Sequence, residues 1–125
     1  MEKLVIKKCL KCGATIMVLQ DCNCDNCGIV CCGVPMIELK PNSVDAAVEK
    51  HVPVYQVKGD NILASVNHVM DADHYIEWIA LLYKQKLLKV DFGSGQVPQC
   101  TLPYCKGSTL FAYCNKHGLW SKEVQ

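Results

Sequence analysis

No stretch of this chain stays apolar long enough to cross a membrane. The longest such run, residues 78–83, falls far short of the roughly 20 residues a helical span needs. A block of basic charge is missing too. Thirteen Lys/Arg against twelve Asp/Glu leave a formal net charge of +1, which argues against nucleic acid as the main partner. The opening residues, Met1-Glu2-Lys3-Leu4-Val5-Ile6-Lys7-Lys8, lack the pattern of an export signal. Histidine is scarce, with four in all, and every one lies beyond residue 50.

What the chain has in quantity is cysteine, ten in 125 residues. In an exported chain that number would suggest disulfides. Without an export signal, metal ligation is the better reading, and the expected address is cytoplasmic. Half the residues are apolar and a fifth charged, the balance of a globular protein. The length allows one modest core with a small appended module.

Seven cysteines lie between Cys9 and Cys32, and three (Cys100, Cys105, Cys114) near the end. That shift marks a cysteine-rich metal-binding module over residues 1–38, a linker over 39–47 broken by Pro41 and Asn42, and a second domain over 48–125. In the module, Cys9-x-x-Cys12-Gly13 is a knuckle in which two thiolates converge while the glycine lets the backbone curl around them. Its partner pair is open on spacing alone. Cys24/Cys27 form a matching knuckle with eleven residues between, and Cys31/Cys32 are adjacent before Gly33. With Cys22, seven thiolates would also suffice for an iron–sulfur cluster, which needs four.

The second domain reads as β. Residues 51–57 are β-rich with Pro53 at an edge or strand start, 59–61 form a turn, and 62–66 a short strand. Residues 74–83 carry aromatic and β-branched side chains on both alternating faces, as in a buried strand. Lys84-Gln85-Lys86 turns the chain into a half-buried strand in which Leu88, Val90 and Phe92 alternate with Lys89 and Asp91. Residues 109–113 form a last strand. Together these suggest a small antiparallel sandwich. After that strand, Cys114-Asn115-Lys116-His117-Gly118 places a thiol and an imidazole three positions apart in a tight turn, where both can face one ion. We read the C-terminal two-thirds as built to bring His51, His68, His74, Cys114 and His117 onto a single metal. Cys100 and Cys105 read as small buried hydrophobes.

Four segments carry a family resemblance: Glu49-Lys50-His51-Val52-Pro53-Val54, Asn67-His68-Val69-Met70, His74-Tyr75-Ile76-Glu77-Trp78 and Tyr113-Cys114-Asn115-Lys116-His117-Gly118-Leu119-Trp120. They resemble the superoxide reductases. The two-domain layout, with Cys9-x-x-Cys12 and Cys31-Cys32-Gly33 before Pro35-Met36, is similar to desulfoferrodoxin. The resemblance implies an all-β chain: an immunoglobulin-like sandwich with a small desulforedoxin-like module at its N-terminus. It implies a mononuclear non-haem iron with His51, His68, His74 and His117 equatorial, Cys114 axial and the sixth position open. It implies a lid on which Lys50 attracts and orients superoxide while Glu49 can ligate the ferric ion after turnover. In the module it implies Fe(Cys)4 on Cys9, Cys12, Cys31 and Cys32. A [4Fe–4S] cluster drawing on Cys22, Cys24 or Cys27 is the alternative, because those three are extra to the family's usual site.

The implied activity is superoxide reductase, an oxidoreductase that adds one electron and two protons to superoxide to give hydrogen peroxide. Four neutral imidazoles and one thiolate around a divalent iron leave a net +1 site, which favours an anionic ligand. The expected partners are superoxide and a small rubredoxin-like electron donor, with the chain a homo-oligomer (dimer) and neither nucleic acid nor membrane involved. The rival reading is an iron–sulfur or rubredoxin-like electron-transfer protein without a catalytic second site.

Overall fold

A computed structural model describes residues 3–24 and 28–125. They form two compact units, Lys3–Lys40 and Pro41–Gln125. In the smaller unit, β1 (Ile6–Lys8) is flanked by β2 (Thr15–Met17) and β5 (Ile37–Glu38), both antiparallel to it. The first knuckle is the β1–β2 connection: Cys9 N–H donates to Ala14 O at 2.8 Å and Gly13 N–H to Cys9 O at 2.9 Å. A second hairpin pairs β3 (Val30–Cys31) with β4 (Val34–Pro35). Its two turn residues, Cys32 and Gly33, have φ of 55° and 74°, the left-handed pair that matches the twist of a two-residue hairpin. Among the described residues of this unit only Leu4, Ile6 and Cys9 are buried.

The larger unit holds two antiparallel sheets. One has the order β10 (Gln99–Pro103), β7 (Asn61–Ser65), β6 (Val54–Lys58). The other has the order β12 (Gly118–Glu123), β11 (Thr109–Cys114), β8 (Ile76–Tyr83), β9 (Lys86–Asp91). Alternate residues face inward from both. Ile62, Ala64 and Leu102 from the first sheet join Ile79, Leu81, Leu110, Ala112 and Cys114 from the second in one buried cluster. This is the sandwich expected from the period-2 pattern. Each fully buried Leu or Ile there contributes about 1.5–3 kcal/mol over its exposed state. β10 and β12 were not singled out in the sequence. Cys100 lies on β10 opposite Ala64 and packs partly buried against the core, and Cys105 is half-buried in the loop that follows.

Two departures from regular strand geometry bear on the site. The β11–β8 register runs Tyr113↔Trp78 and then Cys114↔Ile76, leaving Glu77 as an extra, bulged residue. The bulge lets Ile76 join Ile79 in the core although the two are an odd number of positions apart with Trp78 on the other face. Tyr113, paired with Trp78, stacks on that indole at 5.8 Å between ring centroids and so faces away from Cys114. At the sheet's other end, Lys84 and Gln85 are both left-handed (φ 48° and 66°), a tight turn into edge strand β9. There Val90 and Phe92 pack on the core, but Leu88 is 48% exposed, less buried than its alternation implied.

Candidate metal centres

The larger unit brings five side chains from distant parts of the chain to one point. His51 follows a single 3-10 turn, Val48–Lys50, and its N–H closes that turn on Val48 O at 3.1 Å. His68 and His74 lie in the connection from β7 to β8, where Asp71 N–H donates to His74 O at 3.0 Å. Cys114 ends β11, and His117 stands in the three-residue loop to β12, its N–H donating to the Cys114 sulfur at 3.4 Å. One donor atom from each of the five lies within 4.8 Å of every other.

The four imidazoles form a closed ring. Neighbours His51–His68, His68–His74, His74–His117 and His117–His51 sit 4.7–5.0 Å apart between centroids, at interplanar angles of 72° to 90°. Hydrogen bonds fix which nitrogen faces inward. His51 Nδ1–H donates to Ala47 O at 2.7 Å, and His68 Nδ1–H donates to Val69 O, so both present Nε2. His117 turns the other way, with Nδ1 3.0 Å from His51 Nε2 and 3.9 Å from the Cys114 sulfur. His74 Nε2 is buried and has no hydrogen-bond partner. A buried imidazole nitrogen without a partner is costly, unless its lone pair is meant for a cation.

The electrostatics agree. Burial, reinforced by the surrounding imidazoles, pushes the His68 and His117 pKa values below the ordinary histidine value, which keeps their lone pairs free. Burial pushes the Cys114 thiol up, opposed by the backbone N–H groups of Lys116 and His117. Only a bound cation makes its thiolate favourable in that place. Four lone pairs and a buried thiol converging on one point fit a transition metal with imidazole and thiolate ligands.

A cleft of about 470 Å³ opens over this ring. All four histidines line it and Cys114 does not, so the thiol lies on the protein side and the cleft on the other. Lys50 lines the cleft; Glu49, exposed on the same 3-10 turn, does not. Asp45, which the sequence did not point to, lines it as well.

In the smaller unit, Cys9, Cys12, Cys31 and Cys32 bring their sulfurs within 4.8 Å of one another. Cys12 and Cys31 sulfurs are 3.6 Å apart, and the Cys9 thiol points to Cys31 O at 3.5 Å. The β1–β2 knuckle and the β3–β4 turn thus face each other. Crowding separates the thiols' acidities. Backbone N–H at Cys12 lowers Cys9 to about 7, whereas hydrogen bonds with Cys12 and Cys9 hold the Cys31 proton up to about 12. A cation among the four would relieve the repulsion between their thiolates. Cys22 is exposed, its N–H donating to Asp21 at 2.9 Å, and lies outside the group. Cys24 also stands apart from the group. Cys27 lies outside the described residues.

A profile of the desulfoferrodoxin family matches residues 43–123. The chain belongs to the desulfoferrodoxin family. A desulfoferrodoxin of Syntrophotalea carbinolica is 41% identical over 126 residues, covering 98% of each chain. A superoxide reductase of Pyrococcus horikoshii is 32% identical over 114 residues, 72% of this chain and 98% of its own. The crystal structure of the superoxide reductase from Treponema pallidum shares the fold, with a TM-score of 0.72 at 24% identity over 98% of this chain and 100% of that one.

Three further residues support the larger site in this family member, none given a role by the sequence. Trp120 is buried and stacks on His51 at 5.0 Å between centroids, while its Nε1–H donates to His117 O at 3.0 Å. Asn115 ties the Cys114–His117 loop to the His74 segment: Oδ1 accepts from Tyr75 N–H and Nδ2 donates to Asp73 O, each at 3.0 Å. Asn42, at a left-handed φ of 60°, fastens the segment leading to His51 onto β12. Its N–H donates to Leu119 O at 3.0 Å, its Oδ1 accepts from Ser121 N–H at 2.9 Å, and its Nδ2 lies 3.2 Å from Ser121 Oγ. All three contacts span distances in sequence or faces of strands that local pattern does not reveal.

Proposed function

We propose that this desulfoferrodoxin is a superoxide reductase working at the four-histidine, one-cysteine centre, by the reaction O2•− + e− + 2H+ → H2O2. The observation that carries the reading is the closed ring of imidazoles with a buried thiol behind it and a lysine-lined cleft in front. His51, His68, His74 and His117 hold a non-haem iron through three Nε2 atoms and one Nδ1, and Cys114 holds it from the buried side. Iron in that place supplies the electron that superoxide takes up. The chain's own residues do the rest. The Ala47 and Val69 carbonyls keep His51 and His68 in the tautomer that leaves Nε2 free. The cleft restricts access to a small molecule, and Lys50 draws the anion in and orients it. Glu49, on the same 3-10 turn as Lys50, would be the residue to ligate the oxidised iron.

The smaller unit holds a second iron on Cys9, Cys12, Cys31 and Cys32, supported by their convergence and by the separation of the other described cysteines from them. Five thiolate ligands in one chain call for a reducing compartment, consistent with the cytoplasm. A rubredoxin-like donor and a dimeric state rest on the family resemblance. Reduction kinetics with a rubredoxin and sedimentation velocity test them. The activity itself is tested by mixing the reduced, iron-loaded protein with superoxide generated by pulse radiolysis under anaerobic conditions. One peroxide per superoxide consumed, without oxygen evolution, is expected. Dismutation stoichiometry, one peroxide and one oxygen per two superoxide, would overturn the assignment.

A further inference from the structure

We infer that Asp45 is a specificity-determining residue that sets the charge selectivity of the cleft, admitting a small monoanion while disfavouring dianions. The inference rests on the superoxide reductase reading for its biological meaning, but the geometry stands alone. Residues 42–51 form a strap held at both ends. Asn42 is fastened to β12 by its backbone and side chain, and His51 Nδ1–H is bonded to Ala47 O. Between these anchors one acidic residue, Asp45, and one basic residue, Lys50, line the cleft, while Glu49 on the same strap does not. Asp45 therefore offsets part of the attraction that Lys50 exerts on an anion entering the cleft.

Lys50 alone would attract any anion in proportion to its charge, so sulfate or a phosphate dianion would be favoured twice over in free energy relative to superoxide. Asp45 opposes that attraction by the same rule. At a separation of ~8 Å and an effective dielectric of ~50, one such carboxylate weakens a monoanion about fourfold and a dianion by the square of that, about sixteenfold. The cost in superoxide capture is modest and the gain in exclusion of dianions is larger.

The experiment uses the iron-loaded full chain at fixed ionic strength, with azide and sulfate as probes. Azide binding is read from the visible spectrum, and sulfate from its competition with azide. Asp45→Asn should tighten azide about fourfold and sulfate about sixteenfold, and Asp45→Glu should restore values near wild type. Asp60→Asn makes the same change of net charge in the β6–β7 turn, outside the cleft lining, and should leave both unchanged. Equal factors for the two anions, no change in either, or the same rise in Asp60→Asn would each overturn the inference. Asp45 is exposed, and an unchanged thermal transition in Asp45→Asn confirms that the variant is folded. Failure of the wild-type protein to react with superoxide would sink the proposed function while leaving the anion result to stand or fall by itself.

Discussion

Lys50 is where an electrostatic role and an ordinary surface lysine predict different numbers. It is exposed on the 3-10 turn that leads to His51, and it lines the cleft over the imidazole ring. A sphere of the cleft's volume, about 470 Å³, has a radius of about 5 Å, so an ammonium on the wall lies some ~7 Å from an anion approaching the ring. With an effective dielectric of ~50, appropriate to a solvent-exposed rim, the attraction is about 1 kcal/mol, a factor of about five in local concentration. Lys50→Ala should therefore slow the second-order reaction of the reduced centre with superoxide about fivefold. Lys50→Arg, which keeps the charge, should lose little. Raising the salt concentration shortens the Debye length from about 10 Å at 0.1 M, so the wild-type rate should fall with ionic strength and the variant's should fall less steeply. Pulse radiolysis at several salt concentrations measures both. An unchanged rate and an unchanged salt slope in Lys50→Ala would refute the electrostatic argument and leave capture to the metal site alone.

Replacing Cys9 and Cys12 by serine should abolish the absorption of the smaller unit's centre and leave the superoxide reaction of the five-ligand centre intact, as followed by stopped-flow spectra; loss of both would contradict independent sites. Metal uptake by the four-thiol group displaces protons, and Cys9, lowered to about 7, carries its proton below that pH and has lost it above. Proton release per metal bound, from calorimetry in buffers of different ionisation enthalpy, should thus fall by one as pH rises through about 7. Asn115→Ala removes two hydrogen bonds between the Cys114–His117 loop and the His74 segment. It should cost about 1–3 kcal/mol in urea unfolding and weaken iron retention against a chelator about tenfold or more.

The parts of this molecule that were legible in the sequence are those decided by neighbours along the chain. Residues 74–83 read as a buried strand because both faces are apolar and β-branched or aromatic, and the structure places the strand at Ile76–Tyr83; Cys114-x-x-His117-Gly118 read as a ligand turn because its geometry is local. Strands with weaker patterns escaped notice. β10 contains Cys100 and Pro103, and β12 mixes Trp120 with Lys122 and Glu123, since its pairing with β11 buries one end only. The partner of the Cys9/Cys12 knuckle was open because either the matching Cys24/Cys27 knuckle or the adjacent Cys31/Cys32 pair would bring the thiolates to four. The choice comes from β5 pairing with β1 while the β3–β4 turn folds over the knuckle. The supporting roles of Asn42, Asn115 and Trp120 were hidden for a different reason: each contacts a residue brought to it by the sandwich.

The smaller unit buries only Leu4, Ile6 and Cys9 among its described residues. At about 1.5–3 kcal/mol per buried aliphatic side chain, that apolar surface does not offset the entropy of ordering nearly forty residues, at about 1–2 kcal/mol each for backbone alone. The bonds from four sulfurs to a metal must therefore supply what a core supplies elsewhere, as in small metallo-domains that unfold on chelation. The larger unit stands on its two packed sheets and can exist before iron arrives. Newly made chains would thus pass through a form with the sandwich folded and the first forty residues open. A cell short of iron would expose that half to proteases while the catalytic half waited, complete except for its metal.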